Sequence, residues 1–430
     1  MKLKAIAQTV SLSALGLALA VPAQAAFIED SKASLELRNF YMNRDFRHDT
    51  ATQSKAEEWA QGFLFRFESG YTEGTVGVGV DAMGFAGFKL DSGKGTSNTA
   101  LLPRHDDGRA PSSYGELGAT FKAKLSNSTL KAGTLMPKLP TVSAGDSRLL
   151  PQTFTGVHVN SQEINNLTVD LGRLNRVNQR NSTDRQHIYA TIGQGTAVDK
   201  NAGKAGKAVN LSKNATSKFD FGSISYNWGD TGLKTAYHYG NLNNVYKQHI
   251  LNGVYTLPIT DGQSLTADVR YAKTNDDGKS NIDNKAISGL LSYKLGHSNF
   301  ALGYQKMSGD TGYAYIAETD PFLANYVQIR DFAATDEKSW QARFIHDFAS
   351  VGVPGLTLMT RYIRGTNIYM GANKSRGSEW ERDTDIGYVF QDGTLKGLGI
   401  KWRNATLRSD VAPRKIDENR LIVSYTIPLM

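Results

Sequence analysis

The sequence has no cysteine among its 430 residues. Disulfides and thiolate metal sites are therefore excluded, and a chain of this length must be held by a large core or a closed sheet. Past residue 25 there is no run of 18 apolar residues, which excludes a transmembrane helix. Helical periodicity is almost missing, and proline is sparse at 11 residues. Chemistry-bearing motifs are missing too. There is no G-x-S-x-G elbow, and the glycines at Gly77, Gly79, Gly193 and Gly195 precede no helix that could cradle a phosphate. The eight histidines, among them His105, His158, His187, His238, His249, His297 and His346, form no H-E-x-x-H or other tight ligand spacing. No metal and no cofactor is expected. Basic residues occur singly along the chain instead of gathering on a patch, which argues against nucleic acid. A β-barrel protease or lipase is the rival of another class, but a Ser, a His and an Asp somewhere in a long chain carry no information without geometry.

What the chain does have is 42 Gly, 19 Tyr and 18 Phe. Its mean hydropathy is −0.39. Many short strands, many turns and abundant aromatics in a polar sequence describe a membrane β-barrel, because only alternate residues face lipid. The first residues fit export. Lys2 and Lys4 precede an apolar run from Leu12 to Val21, and Ala23-Gln24-Ala25 supplies a small-residue cleavage site. Residues 1–25 are read as a cleaved signal peptide and 26–430 as one β-barrel pore domain. The net charge of +8 then falls to +6 for the mature chain (8 − 2, removing Lys2 and Lys4).

Apolar and aromatic residues recur at every second position between clusters of Gly, Asn, Asp and Ser. This pattern predicts eighteen strands, near 34–42, 57–70, 73–83, 113–124, 127–136, 154–160, 164–174, 217–227 and 231–240, then 245–256, 263–274, 283–294, 298–307, 337–349, 355–364, 382–390, 396–407 and 418–427. The connections are expected to alternate strictly between short turns, such as Ser126 to Ser128 and Gly296 to Ser298, and long loops, such as 84–112, 137–153, 175–216, 308–336 and 365–381. Short turns on the periplasmic rim and long loops outside are the bacterial pattern, and an even strand number leaves both termini on the short-turn side. The last strand carries Leu421, Val423, Tyr425, Ile427 and Leu429 on one face, a lipid-facing stripe. A soluble β-sandwich would alternate in the same way, but the loop lengths fit a barrel better.

Parity then assigns faces, since residues two apart point the same way and the apolar set must meet lipid. Arg38, Arg66, Arg270, Arg343, Arg361, Lys401 and Arg403 fall inward, against inward acids such as Glu36, Glu68, Asp268 and Asp347. Part of this bias is forced on any barrel, because a Lys or Arg at the lipid midplane costs about 2 to 4 kcal/mol. Clustering would mean more. Lys401, Arg403 and Arg361 lie on strands close in order, and rows of Arg and Lys select anions. A planar guanidinium also matches a carboxylate bidentately. The lysine-rich segment Lys200 to Lys218 reads as a solvated outer loop facing anionic outer-leaflet headgroups.

Residues 144–156, AGDSRLLPQTFTG, resemble the third-loop signature of the OprD (Occ) family of substrate-specific outer-membrane channels. Arg44-Asp45-Phe46, residues 166–173 (NLTVDLGR), Trp380-Glu381-Arg382-Asp383 and Lys401-Trp402-Arg403-Asn404 are similar in order, so the resemblance covers essentially the mature chain. It implies a monomeric eighteen-stranded barrel, weak association being the alternative, whose third and seventh loops fold inward to form a narrow eyelet. An Arg and Lys ladder on one wall would guide a substrate carboxylate. By matching motif, Asp146, Ser147 and Arg148 would sit at the eyelet. Arg361, Lys401 and Arg403 are the first candidates for the ladder, followed by Arg38, Arg47, Arg270 and Arg343; Arg47 and Arg148 rest on the resemblance alone, since parity does not reach loops. The expected partners are a small-molecule solute and the lipid and lipopolysaccharide of the bacterial outer membrane. Of the two branches that the resemblance implies, aromatic or cyclic carboxylates are favoured over basic amino acids or small peptides.

Overall fold

The structure, a computed structural model, describes residues 27–48, 51–193, 199–200, 215–411 and 415–430. The expected signal peptide, 1–25, and residues 201–214 of the lysine-rich segment lie outside the described residues. In chain order the first strands are β1 (Lys32–Phe46), β2 (Lys55–Glu68), β3 (Val76–Ser92), β4 (Ser113–Leu125), β5 (Ser128–Leu135), β6 (Lys138–Leu139), β7 (Val142–Ser143) and β8 (Thr153–Ser161). They continue through β9 (Leu167–Asn178), β10 (Arg185–Gln186), β11 (Ala190–Ile192), β12 (Phe219–Asn227), β13 (Leu233–Leu242), β14 (Tyr246–Thr260), β15 (Gln263–Asp276) and β16 (Asp283–Leu295). The last are β17 (Ser298–Gly309), β18 (Ala314–Ile316), β19 (Lys338–Asp347), β20 (Leu356–Ile368), β21 (Gly377–Val389), β22 (Gly399–Ser409) and β23 (Lys415–Pro428). Eighteen of these form one antiparallel barrel; β6, β7, β10, β11 and β18 are short strands in the connections.

Each barrel strand pairs with its neighbour in sequence, and the sheet closes where β1 meets β23, from Ser34 opposite Pro428 to Phe46 opposite Ile416. Closure satisfies every edge, the condition for spanning hydrocarbon with strands. The outer face of the strands exposes large apolar residues: Leu117 is 81% exposed and Leu302 64%. Their inward neighbours along the strands, such as Gln305 and Gln341, are buried beneath loops. This is an inside-out arrangement, stable only where lipid covers the outer face.

Eighteen strands agree with the expectation, but strict alternation of loop lengths does not hold. On the rim opposite the termini, four connections are long: L2 (93–112), L3 (136–152), L4 (179–218) and L7 (310–337). The others there are short, down to three residues at 243–245, while turns 348–355 and 390–398 on the terminal rim are longer and carry 3-10 turns. Length follows use. L2, L3, L4 and L7 contribute buried cores inside the barrel mouth, whereas a connection that only reverses the chain needs few residues. The expected loop 84–112 is also too long by nine residues at its start (93 − 84), because β3 runs on to Ser92.

Candidate channel constriction

L3 is shaped by its apolar residues. Leu149 and Leu150 pack with Phe40, Met42, Leu64, Phe85 and Tyr114 inside the barrel. Gly62 and Gly87 face Leu149 from the wall, where an added Cβ would lie 3.3 Å and 2.9 Å from its side chain. Two inward glycines therefore leave the depression that seats the loop. Arg38 fastens it: Nη1 donates to Asp146 Oδ1 at 2.7 Å and to the carbonyls of Arg148 (3.0 Å) and Leu149 (3.3 Å), while Nε donates to Glu36 at 2.8 Å. Arg148 is itself only 6% exposed and donates from Nε to the Thr99 carbonyl and from Nη1 to the Ser147 carbonyl. Burial, and then the guanidiniums of Arg420, Arg180 and Arg44, lower its pKa well below that of a free arginine.

L7 meets L3 where Gly145 abuts the Glu318 carbonyl so closely that a Cβ would collide. The Asp320 amide donates to the Ser143 carbonyl, and Gln152 Nε2 donates to the Ala317 carbonyl. Burial raises the Asp320 carboxyl above the usual range, partly offset by the hydrogen bond that Tyr326 donates to it. On its other side L7 is held by wall carboxylates. Glu381 accepts from the amides of Ile329 (2.8 Å) and Arg330 (2.9 Å), and Glu418 accepts from Gln328 Nε2 at 2.9 Å. Arg420 spans the two loops, donating to the Ser147 carbonyl of L3 at 3.4 Å and the Gln328 carbonyl of L7 at 3.3 Å. It is 1% exposed and also donates from Nε to Glu418 at 2.6 Å.

Along this wall the cations form a row over the arc from β19 to β1, interrupted at β21, whose inward residues are Glu381, Asp383 and Asp385. Arg343 on β19 stands opposite Arg361 on β20, and Arg403 on β22 stands opposite Arg420 on β23. Arg44 on β1 follows, opposite Glu418. Most are paired: Arg361 with Asp383 (2.7 Å), Arg403 with Asp385 (2.9 Å) and Arg44 with Glu418 (2.5 Å). Arg343 and Lys401 have no ion pair among the described residues, and the buried Nε of Arg343 has no hydrogen-bond partner there. A guanidinium with one carboxylate partner still has N–H donors to offer, so pairing lowers net charge without removing recognition.

The other expected residues are spread over the pathway. Asp146 and Ser147 lie at the L3–wall contact; Arg180 Nη1 donates to Ser147 Oγ at 2.8 Å. Arg270 is bound to Asp268 and lies over the Phe322 ring of L7 at 3.9 Å. Arg66 reaches Glu36 at 3.2 Å and opens, below L3, on a cavity of about 620 Å³ that Asp81, Lys131, His158 and Asn160 also line. Arg47 is a correction. Its half-exposed side chain binds Asp45 (2.9 Å) and Asp417 (2.6 Å), which share the outer face with Tyr41 and Leu421, so it stands on the outer rim and lines no channel. β1 runs on to Phe46, beyond the expected end at 42, and the Arg47 amide still donates to the Lys415 carbonyl at 3.1 Å, so Arg47 continues the outward face of Tyr41, Asn43 and Asp45.

The sequence profile of the outer membrane porins of the OprD family matches residues 25–429. The chain belongs to the OprD family. The porin-like protein GalP of Pseudomonas putida is 38% identical over 422 residues, 96% of this chain and 97% of that protein. Among solved structures, OpdQ of Pseudomonas aeruginosa is 55% identical with a TM-score of 0.84, over 95% of this chain and 100% of that one. OpdK of Pseudomonas aeruginosa, solved with vanillate, is 36% identical with a TM-score of 0.83, over 94% and 100%. This OprD-family porin is thus a substrate-specific channel of the outer membrane, not an enzyme.

Several residues of the porin's constriction escaped sequence reasoning. Arg420 and Glu418 share parity with the inward side of β23, as the outward stripe from Leu421 to Leu429 implies, and could have been found by it. Glu381, Asp383 and Asp385 lie between the outward residues Trp380, Arg382 and Ile386 and carried the same signal. Arg180 lies in L4, where no periodicity reaches.

Proposed function

We propose that this porin passes small carboxylates, aromatic or cyclic acids in particular, along the row of Arg343, Arg361, Lys401, Arg403, Arg420 and Arg44. The observation that carries the reading is the register itself: five of the six strands from β19 round to β1 carry cations that face one side of the lumen beside the L3–L7 contact. The acids between them are compatible with it: Glu381 is engaged with the amides of L7, and Asp383, Asp385 and Glu418 each take up part of a guanidinium, which leaves Arg343 and Lys401 as the cations of the row without an ion pair among the described residues. The vanillate bound by OpdK is an aromatic carboxylate, and it agrees with this substrate class. Asp146, whose side chain is one-third exposed, would favour a basic amino acid if the constriction also held an ammonium group. Residues 1–25 would serve as the export signal of a single pore domain, 26–430.

The test is liposome uptake by the wild type and by the double variant Arg343→Gln, Lys401→Gln, which removes the two unpaired charges without orphaning an acid. Each charge contributes roughly 1 kcal/mol at 4 Å in water, so benzoate uptake should fall about fivefold per charge relative to a neutral sugar. Equal losses for benzoate and sugar, or faster passage of lysine than of benzoate in the wild type, would overturn the carboxylate reading and leave the pore.

A further inference from the structure

The outer face carries a second row of cations. Lys273 on β15, Lys285 on β16, Lys306 on β17, Lys338 on β19, Arg364 on β20 and Arg382 on β21 are all exposed. Each shares its face with lipid-facing residues such as Val269, Ile287, Leu302, Trp340 and Ile386, and alternates with buried inward residues such as Thr274, Ala286, Met307, Ser339 and Glu381. They therefore point away from the lumen. They are also neighbours. Lys273 stands opposite Lys285 and Lys306 opposite Lys338, while Arg364 pairs with Trp340 and Trp380, next to Arg382 opposite Tyr362.

The row keeps one height. Counted along its own strand, each cation lies between seven residues (Arg382 to Val389) and ten residues (Lys273 to Gln263) from the terminal rim. At about 3.3 Å per residue and a tilt near 45°, that is roughly 16 to 23 Å, close to the far edge of an apolar band about 25 Å tall. Tyr271, Tyr304, Trp340, Tyr362 and Trp380 lie beside the cations on the same face, as aromatics do at a membrane boundary. Long cationic side chains there reach up to the headgroups.

None of the six has an ion pair among the described residues. Pairs appear only at the ends of the row, where Lys247 meets Asp277 (2.6 Å) and Arg408 meets Asp417 (2.8 Å); Asp283 shares the outer face two residues from Lys285. The facing arc of the barrel differs. There Asp45, Glu57 and Asp91 point outward, with Lys55 bound to Glu57 and Arg173 bound to Asp220. A charge bias confined to one arc is not explained by the general exclusion of cations from hydrocarbon, which would act on the whole circumference.

We propose that the arc from β15 to β21 is a docking surface for phosphorylated glycolipid headgroups of the outer leaflet. Six unpaired cations at headgroup height complement a lipid that carries more than one phosphate, with guanidiniums at one end to bind phosphate bidentately and aromatics below to meet the sugar and acyl boundary. The inference is independent of the lumen and of the solute that the channel passes.

The test uses the full-length porin in detergent and native mass spectrometry. Bisphosphorylated lipid A, monophosphorylated lipid A, phosphatidylethanolamine and inorganic phosphate are titrated onto the wild type and onto the variant K285Q/K306Q/K338Q/R364Q. The wild type should bind bisphosphorylated lipid A most tightly, with affinity falling as salt is raised. The variant should lose at least tenfold for that lipid and change little for phosphatidylethanolamine. Equal binding of lipid A by both proteins would overturn the proposal, as would inorganic phosphate competing at lipid concentrations. Unchanged single-channel conductance reports a folded variant, because these side chains do not face the lumen. The pair K306Q/K338Q, on adjoining strands, gives the same readout with less change, and the Lys→Arg set should retain binding.

Discussion

Arg420 shows how one side chain can set the geometry of the constriction. Its guanidinium is buried, shares Glu418 with Arg44, and donates to carbonyls of both L3 and L7. Replacing it with Gln removes the charge from a buried pair, which costs about 3 to 5 kcal/mol where no other partner remains; with Arg44 still beside Glu418 the lower end applies. We expect Arg420→Gln to lower unfolding stability by about 3 kcal/mol in a denaturant titration of the reconstituted protein. Single-channel recordings should show a larger and noisier conductance, because the two loops lose a common tether. An unchanged conductance would mean that Arg38 and the L3 core hold the loop without it. Parity made Arg420 legible as inward. That it binds two loops depends on contacts between segments more than 90 residues apart in sequence, which periodicity does not encode.

Among the elements, the loops are joined to one another as firmly as to the wall. β11 in L4 pairs with β18 in L7, and Asp336 at the end of L7 holds Lys200 of L4 at 2.7 Å and Arg376 of the connection 369–376 at 2.8 Å. Burial alone would raise the Asp336 carboxyl, but the hydrogen bonds from Lys200 and Arg376 outweigh it and the pKa is lowered. The sign follows directly. A carboxyl with a folded pKa below its unfolded value stabilises the closed loops above about pH 4, and that contribution is lost as pH falls through the folded value. Limited proteolysis in detergent should therefore cut L4 faster below that pH. Asp336→Asn should show the fast cutting at neutral pH; if it is cut at the wild-type rate, the clasp does not hold L4. The residues for this clasp were visible as isolated charges in loops, but nothing local says which loop tips meet.

For the molecule as a whole, the closing pair of strands decides whether there is a barrel. β23 pairs with β1 over Ser34 to Phe46 and with β22 on its other side, so its loss exposes two edges in hydrocarbon. A chain ending at residue 409 should fail to give the fast-migrating unheated band of a folded barrel in SDS gels; a normal band would show that the sheet can close without β23. Strand number, the face of each strand residue and the membrane setting were determined by the sequence alone, because a two-residue period and the cost of a cation in lipid act locally along the chain. Connection lengths were read only in part, since a loop's length does not say whether it folds inward. The row of lumenal cations was anticipated at Arg343, Arg361, Lys401 and Arg403. Tertiary structure alone decided that most of its members are paired, that Arg47 stands outside, and that L3 and L7 meet across Arg420. Those outcomes depend on register, which sets which residues of neighbouring strands face each other, and on loop packing against the inner wall; both are fixed by contacts between distant segments.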